Sequence, residues 1–105
     1  LLTELLQALK TATGLDPYPF AGAPDKPKQI VYTMYSVGSW YGNDANILDV
    51  PKCQLDLWTQ TPDDQLPDQV MSVLQSWHLP YTVETYMMYD DETNRLRTII
   101  QFEVL

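Results

Sequence analysis

A chain of 105 residues has room for one domain, residues 1–105, and 45% hydrophobic and 11% aromatic residues let it build a core, which excludes wholesale disorder. Six Lys and Arg against fourteen Asp and Glu leave a net charge of −8, which excludes a surface built to grip nucleic-acid phosphates or anionic lipid. A single cysteine leaves no disulfide framework and no multi-thiolate metal site, as suits a reducing compartment. Uncharged stretches such as Gln29–Asn43 reach only fifteen residues and carry polar side chains, so no bilayer span is expected. The start, Leu1-Leu2-Thr3-Glu4, lacks the basic region of a signal peptide, and the missing Met is expected from trimming or processing.

In chain order, Leu2, Leu5, Leu6, Leu9 and Ala12 recur every three or four residues, predicting an amphipathic helix over 1–13 with Gly14 as its left-handed stop. Pro17, Pro19, Pro24 and Pro27 then predict an extended surface arm over 15–28, pinned to the body by Tyr18 and Phe20. Gln29–Val37 is rich in β-branched and aromatic residues and reads as a strand. Gly38–Asp49 reads as a long loop, with Gly42-Asn43-Asp44 as its turn. Lys52–Gln60 alternates, with Cys53, Leu55, Leu57 and Thr59 on one face and Gln54, Asp56, Trp58 and Gln60 on the other, the pattern of a half-buried strand.

Asp63 or Asp64 should N-cap a second helix; from Asp64, Pro67 falls at the third helical position, where its missing N–H costs no bond. Leu66, Val70, Val73, Leu74 and Trp77 form its apolar stripe, and Pro80 prevents continuation. Tyr81–Tyr89 and Arg95–Leu105 read as strands of a hairpin about the polar turn Asp90–Asn94. No helix recurs as a crossover between successive strands. The expected fold is therefore α+β: a mostly antiparallel four-stranded sheet, two helices on one face, a Pro-rich arm and a long loop.

The charge is uneven. No Lys or Arg lies between Lys52 and Arg95, a window that holds Asp56, Asp63, Asp64, Asp68, Glu84, Asp90, Asp91 and Glu92; the other six acids balance the six bases. Such a segment is either a solubilising surface or, if it shares one face, a face that sits near nucleic acid without binding it.

Catalytic chemistry is not legible. His78 follows Trp77 at a helix end, where a polar or cationic residue suits the dipole, and no spacing supplies a partner for general-base work. Cys53 falls on the apolar face of its strand amid acidic sequence, a setting for core filler and not for a thiolate. Asp63, Asp64 and Asp68 match no calcium loop, and Asp90-Asp91-Glu92-Thr93-Asn94 reads as a solvated turn. No catalytic residue, metal site or cofactor is expected. The aromatic residues are more telling: Trp40 and Tyr41 in the predicted loop and Trp58 on a polar strand face are placed as protein–protein anchors, unless the arm covers Trp58.

The order of motifs resembles the tail terminator and tail-to-head joining (tail completion) proteins of long-tailed bacteriophages. The resemblance runs over the amphipathic first helix, Pro17-Tyr18-Pro19-Phe20, Gln29-Ile30-Val31-Tyr32 and Gly42-Asn43-Asp44-Ala45-Asn46. It continues through Cys53-Gln54-Leu55-Asp56-Leu57-Trp58-Thr59, the acid-capped helix and a hairpin ending Gln101-Phe102-Glu103-Val104. It spans nearly the whole chain in patterns of residue type. It implies an α+β subunit of a ring, typically a hexamer, that caps the tail tube in the virion neck and docks to the head connector. Assembly in the host cytoplasm, no membrane and no catalysis follow from it. An acidic bore would then let DNA pass unbound. Two other readings stand beside it: a monomeric acidic module that mimics nucleic acid, which requires the eight acids on one exposed face, and a metal-dependent enzyme using Asp or Glu residues.

Overall fold

The computed structural model describes residues 1–41 and 46–104, with residues 37–41 and 46–49 described by backbone alone. Helix α1 spans Leu2–Thr13 and stops at Gly14, whose φ of +74° is the left-handed conformation that ends helices without a Cβ penalty. Strand β1 is Tyr18–Pro19, followed by a 3-10 turn at Phe20–Gly22. Strands β2 (Gln29–Tyr41) and β3 (Asn46–Thr59), helix α2 (Leu66–Ser76), and strands β4 (Tyr81–Asp90) and β5 (Arg95–Glu103) complete the chain. The sheet has five strands in the order β1-β2-β3-β5-β4; β1 joins β2 in parallel and the other pairs are antiparallel. The architecture is α+β, as expected, but the sheet is mixed and has one strand more than the four that periodicity indicates.

Register explains the core. Ile30 pairs with Leu57, Leu55 with Ile100 and Cys53 with Phe102, so one side of three adjacent strands is apolar. Leu5 and Leu9 of α1 and Leu66, Val70 and Leu74 of α2 pack on that side in one continuous cluster. Ala12, expected in the stripe of α1, is exposed in the last turn. The stripe of α2 also buries Pro67, with Val73 and Trp77 only partly covered.

The α2 start differs by one residue from expectation. Gln65 holds the cap position without a side-chain bond, and Pro67 falls at the second helical position. Asp64 sits one residue upstream, where its Oδ1 accepts the Leu66 N–H at 2.9 Å and the Lys28 ammonium at 3.0 Å. An aspartate two residues before the N–H it accepts makes a local turn and still satisfies a first-turn donor.

Two larger corrections concern the segments flanking β2. The Pro-rich segment is no free arm: Tyr18 and Pro19 pair with Val31 and Tyr32 at the sheet edge, the place in a sheet where proline is tolerated. Phe20 does not pin it, being 70% exposed. The pin is Arg95, 93% buried, whose guanidinium donates to the Lys26 carbonyl and lies 3.3 Å from the Asp25 carboxylate.

The expected loop Gly38–Asp49 is replaced by strand. β2 runs on to Tyr41 and β3 begins at Asn46, with Trp40 opposite Ile47 and Tyr41 opposite Asn46. The proposed turn Gly42-Asn43-Asp44 lies outside the described residues. Because β5 meets β3 only from Lys52 onward and β1 meets β2 only at Val31 and Tyr32, the six pairs from Ser36–Pro51 to Tyr41–Asn46 form a ribbon with no third strand among the described residues. At about 3.4 Å per residue it runs for about 20 Å. The protein is accordingly long, 49 × 30 × 24 Å, with a radius of gyration of 15.0 Å against about 13 Å for a compact chain of this size.

Leu55 lies at the centre of the cluster and is fully buried. Leu55→Ala is expected to lower the unfolding free energy by about 2–5 kcal/mol in a denaturant titration, through lost burial and a residual cavity.

Candidate assembly surface

The helices cover one side of the sheet, and the other side carries a polar network centred on Trp58. Trp58 is half-buried and pairs across the ladder with Arg97. The Arg95 guanidinium carbon lies 4.2 Å from the Trp58 ring centroid and that of Arg97 5.3 Å, both within cation–π range. These are the only two arginines in the chain. Their i, i+2 spacing on β5 puts both on the side of Trp58.

From Arg97 the network crosses the sheet. Arg97 Nη2 donates to Asp56 Oδ2 at 2.7 Å, Gln54 Nε2 donates to Asp56 Oδ1 at 2.9 Å, and Gln101 Nε2 donates to Gln54 Oε1 at 3.0 Å. Both Asp56 oxygens are thereby used, and a carboxylate flanked by donors on either side is well compensated for its burial. Arg97 Nε is buried without a hydrogen-bond partner, the one such side-chain atom among the described residues. Beside the network, Phe20, Pro24, Val31 and Trp58 line a concavity of about 290 Å³. The turn after β1 therefore forms part of the wall beside Trp58.

The interface residues expected from sequence are separated. Trp58 is engaged by the two arginines within its own chain. Trp40 and Tyr41 belong to the ribbon by backbone register, and no loop holds them.

The acids divide as well. Asp56 is buried in the network on the helix-free side. Glu84 lies on β4 beside Lys52 and Glu103, at the rim of a cavity of about 400 Å³. Asp63, Asp64 and Asp68 surround the start of α2, while Asp90, Asp91 and Glu92 fall at the β4–β5 turn. Thr59, at the end of β3, pairs with Leu96 just after that turn, so these six acids share the end of the sheet opposite the ribbon. The eight acids do not form a single exposed face, as the nucleic-acid mimic requires.

His78 and Cys53 lie apart from this network. His78 takes a left-handed φ of +54° just past α2, and its backbone N–H donates to the Gln75 carbonyl at 3.0 Å. Cys53 is fully buried, and desolvation pushes its thiol pKa up to about 12 from an ordinary 9.0. Among the described residues no three His, Cys, Asp or Glu side chains converge on a metal position. No described helix is long and apolar enough to cross a membrane.

Sequence reasoning missed the roles of Arg95 and Arg97. The available signal was their i, i+2 spacing on a predicted strand whose polar side also carries an opposing Trp and Asp. Compared with models of protein families and with curated proteins, the chain finds no match.

Two outcomes follow from this geometry. Asp56→Ala strands the Arg97 guanidinium and the Gln54 amide; because Arg97 is 38% exposed, the loss of stability is expected near the low end of about 1–3 kcal/mol, read by chemical denaturation. The Cys53 thiol keeps its proton in the folded state to about pH 12, while the unfolded thiol loses it near 9.0. Its contribution to stability is therefore whole below pH 9 and falls as pH rises toward 12. Cys53→Ala is expected to flatten the alkaline limb of the stability–pH curve relative to the parent protein.

Proposed function

We propose that this chain is a structural assembly subunit: a phage or prophage tail terminator or head–tail joining protein that closes into a ring, caps the tail tube and docks to the head connector, without catalysis. The observation that carries the proposal is the ribbon of β2 and β3. A two-stranded ribbon is marginal in water, because the outward hydrogen-bonding groups of each strand meet no further strand among the described residues. About 20 Å of such ribbon on an otherwise packed domain gains its stability from a neighbour.

The resemblance to tail completion proteins, which covers the same order of elements, supplies the biological setting. On this reading the subunit belongs to the virion neck after assembly in the host cytoplasm, with six copies as the expected ring. The acid-rich end then presents to passing DNA a surface that repels phosphate. The monomeric mimic is the weaker reading, since Asp56 is spent on Arg97 and Gln54.

The test is the solution mass across protein concentration, measured on two proteins. In the parent protein a discrete ring-sized species is expected. In the second, an Asn-Gly turn replaces residues 38–49 and joins Val37 directly to Val50, its register partner, as a two-residue hairpin. The core cluster lies outside the replaced segment, so this variant is expected to keep its unfolding transition and to lose assembly. A parent protein that stays monomeric, or a shortened one that still forms the ring, overturns the proposal.

A further inference from the structure

Residues 16–27 skirt the helix-free side of the sheet without burying themselves. No residue from 14 to 28 is buried, and Leu15, partly covered, is the one of them that packs on the core cluster. Ion pairs tie the two ends, Lys10 to Asp16 at 3.1 Å and Lys28 to Asp64 at 3.0 Å. Between them the backbone meets the sheet only where β1 pairs with Val31 and Tyr32.

What lies beneath is buried all the same. Val31 is 4% and Asp56 6% exposed, although both face the side that no helix covers. Phe20, Ala23, Pro24 and Asp25 share with them the concavity beside Trp58. The segment thus shelters a floor that gives it little apolar cover in return. Few buried apolar contacts and much exposed backbone mark a unit that opens below the free energy of global unfolding.

The middle of the segment is fastened chiefly by Arg95. Its guanidinium donates to the Lys26 carbonyl and lies 3.3 Å from the Asp25 carboxylate, and the Lys26 N–H adds a bond to Gln29 Oε1 at 3.3 Å. Arg95 is itself held from the body, its guanidinium carbon 4.2 Å from the Trp58 ring centroid, so it keeps its place when the segment leaves. Pro17, Pro19, Pro24 and Pro27 fix φ at four positions, which lowers the entropy lost each time the segment recloses.

We propose that residues 16–27 form a strap, latched by Arg95, that opens as a unit and uncovers Val31, Asp56 and Trp58 while the core cluster stays folded. The latch is the bond from Arg95 to the Lys26 carbonyl, since Asp25 is exposed and its ion pair is screened by solvent. This device goes beyond the assembly reading and does not depend on it.

Thiol labelling tests it. Val31→Cys puts a reactive group of similar size under the strap. Cys53 reports global unfolding, because it is fully buried in the core with its thiol held protonated. Labelling by an aromatic disulfide reagent is followed by mass spectrometry in rising urea, below the unfolding transition. Position 31 is expected to react first and at a rate that urea leaves unchanged, while Cys53 reacts faster as urea rises.

Arg95→Gln is expected to speed labelling at position 31 by about tenfold or more beyond any change at Cys53. Asp25→Asn is expected to speed it by less than about threefold. Hydrogen exchange at the Lys26 amide, with Leu55 as the core control, gives the same comparison without Val31→Cys. Equal rates and equal urea dependence at position 31 and Cys53 overturn the strap. An Arg95→Gln protein that leaves position 31 unchanged, or accelerates both thiols alike, overturns the latch and with it the proposal, as does an Asp25→Asn effect equal to that of Arg95→Gln.

Discussion

Everything in this molecule depends on the one-sided burial of β3. Cys53, Leu55, Leu57 and Thr59 are all fully buried against the helices, while the residues between them face a side that no helix covers. Because side chains alternate with a period of two, a slip of one residue would send Asp56 and Trp58 into the core and expose the leucines. The register of β3 therefore sets that of β2 and β5, which hydrogen-bond to its two edges. The helices follow, since only one side of the sheet offers apolar surface to the stripes of α1 and α2.

The uncovered side is stabilised differently. There the sheet relies on a continuous polar chain from Gln101 to Arg97 and on two guanidinium groups against Trp58, with Arg95 reaching on to hold the turn after β1. Such a network fixes side-chain positions without excluding water over the whole face. It also consumes groups that could otherwise do chemistry: Asp56 and both arginines have intramolecular partners. At the sheet edges apolar side chains remain exposed. Together with the ribbon, these edges are what the proposed assembly role rests on.

The helices, the alternation of β3 and the closing hairpin were legible because each carries its own periodic signal, created by burial against a core within the chain. The ribbon was not. The ribbon pairs with no third strand among the described residues, and Gly38 with its serine neighbours and the polar stretch Gly42–Asn46 reads as loop in sequence. β1 escaped for a related reason. A two-residue edge strand beside prolines leaves no pattern, and its pairing with β2 becomes visible only when the register is known. The candidate site was legible in part: Trp58 stood out as an aromatic on a polar strand face, but Arg95 and Arg97 drew no notice until the ladder set Arg97 opposite it.

Local order in the sequence determined by itself the fold class, the two amphipathic stripes, the face of β3 that turns inward, the left-handed stop at Gly14 and the acidic window without a base. Each of these depends on residues within one or two turns or along one strand, where sterics and alternation act directly. Only the tertiary structure decided that Asp56 is spent on an arginine 41 positions away, that six acids gather at one end while two stand apart, and that β2 and β3 run past the body of the sheet. Those outcomes depend on which strand lies beside which, and strand order is a property of the assembled sheet that no single segment carries.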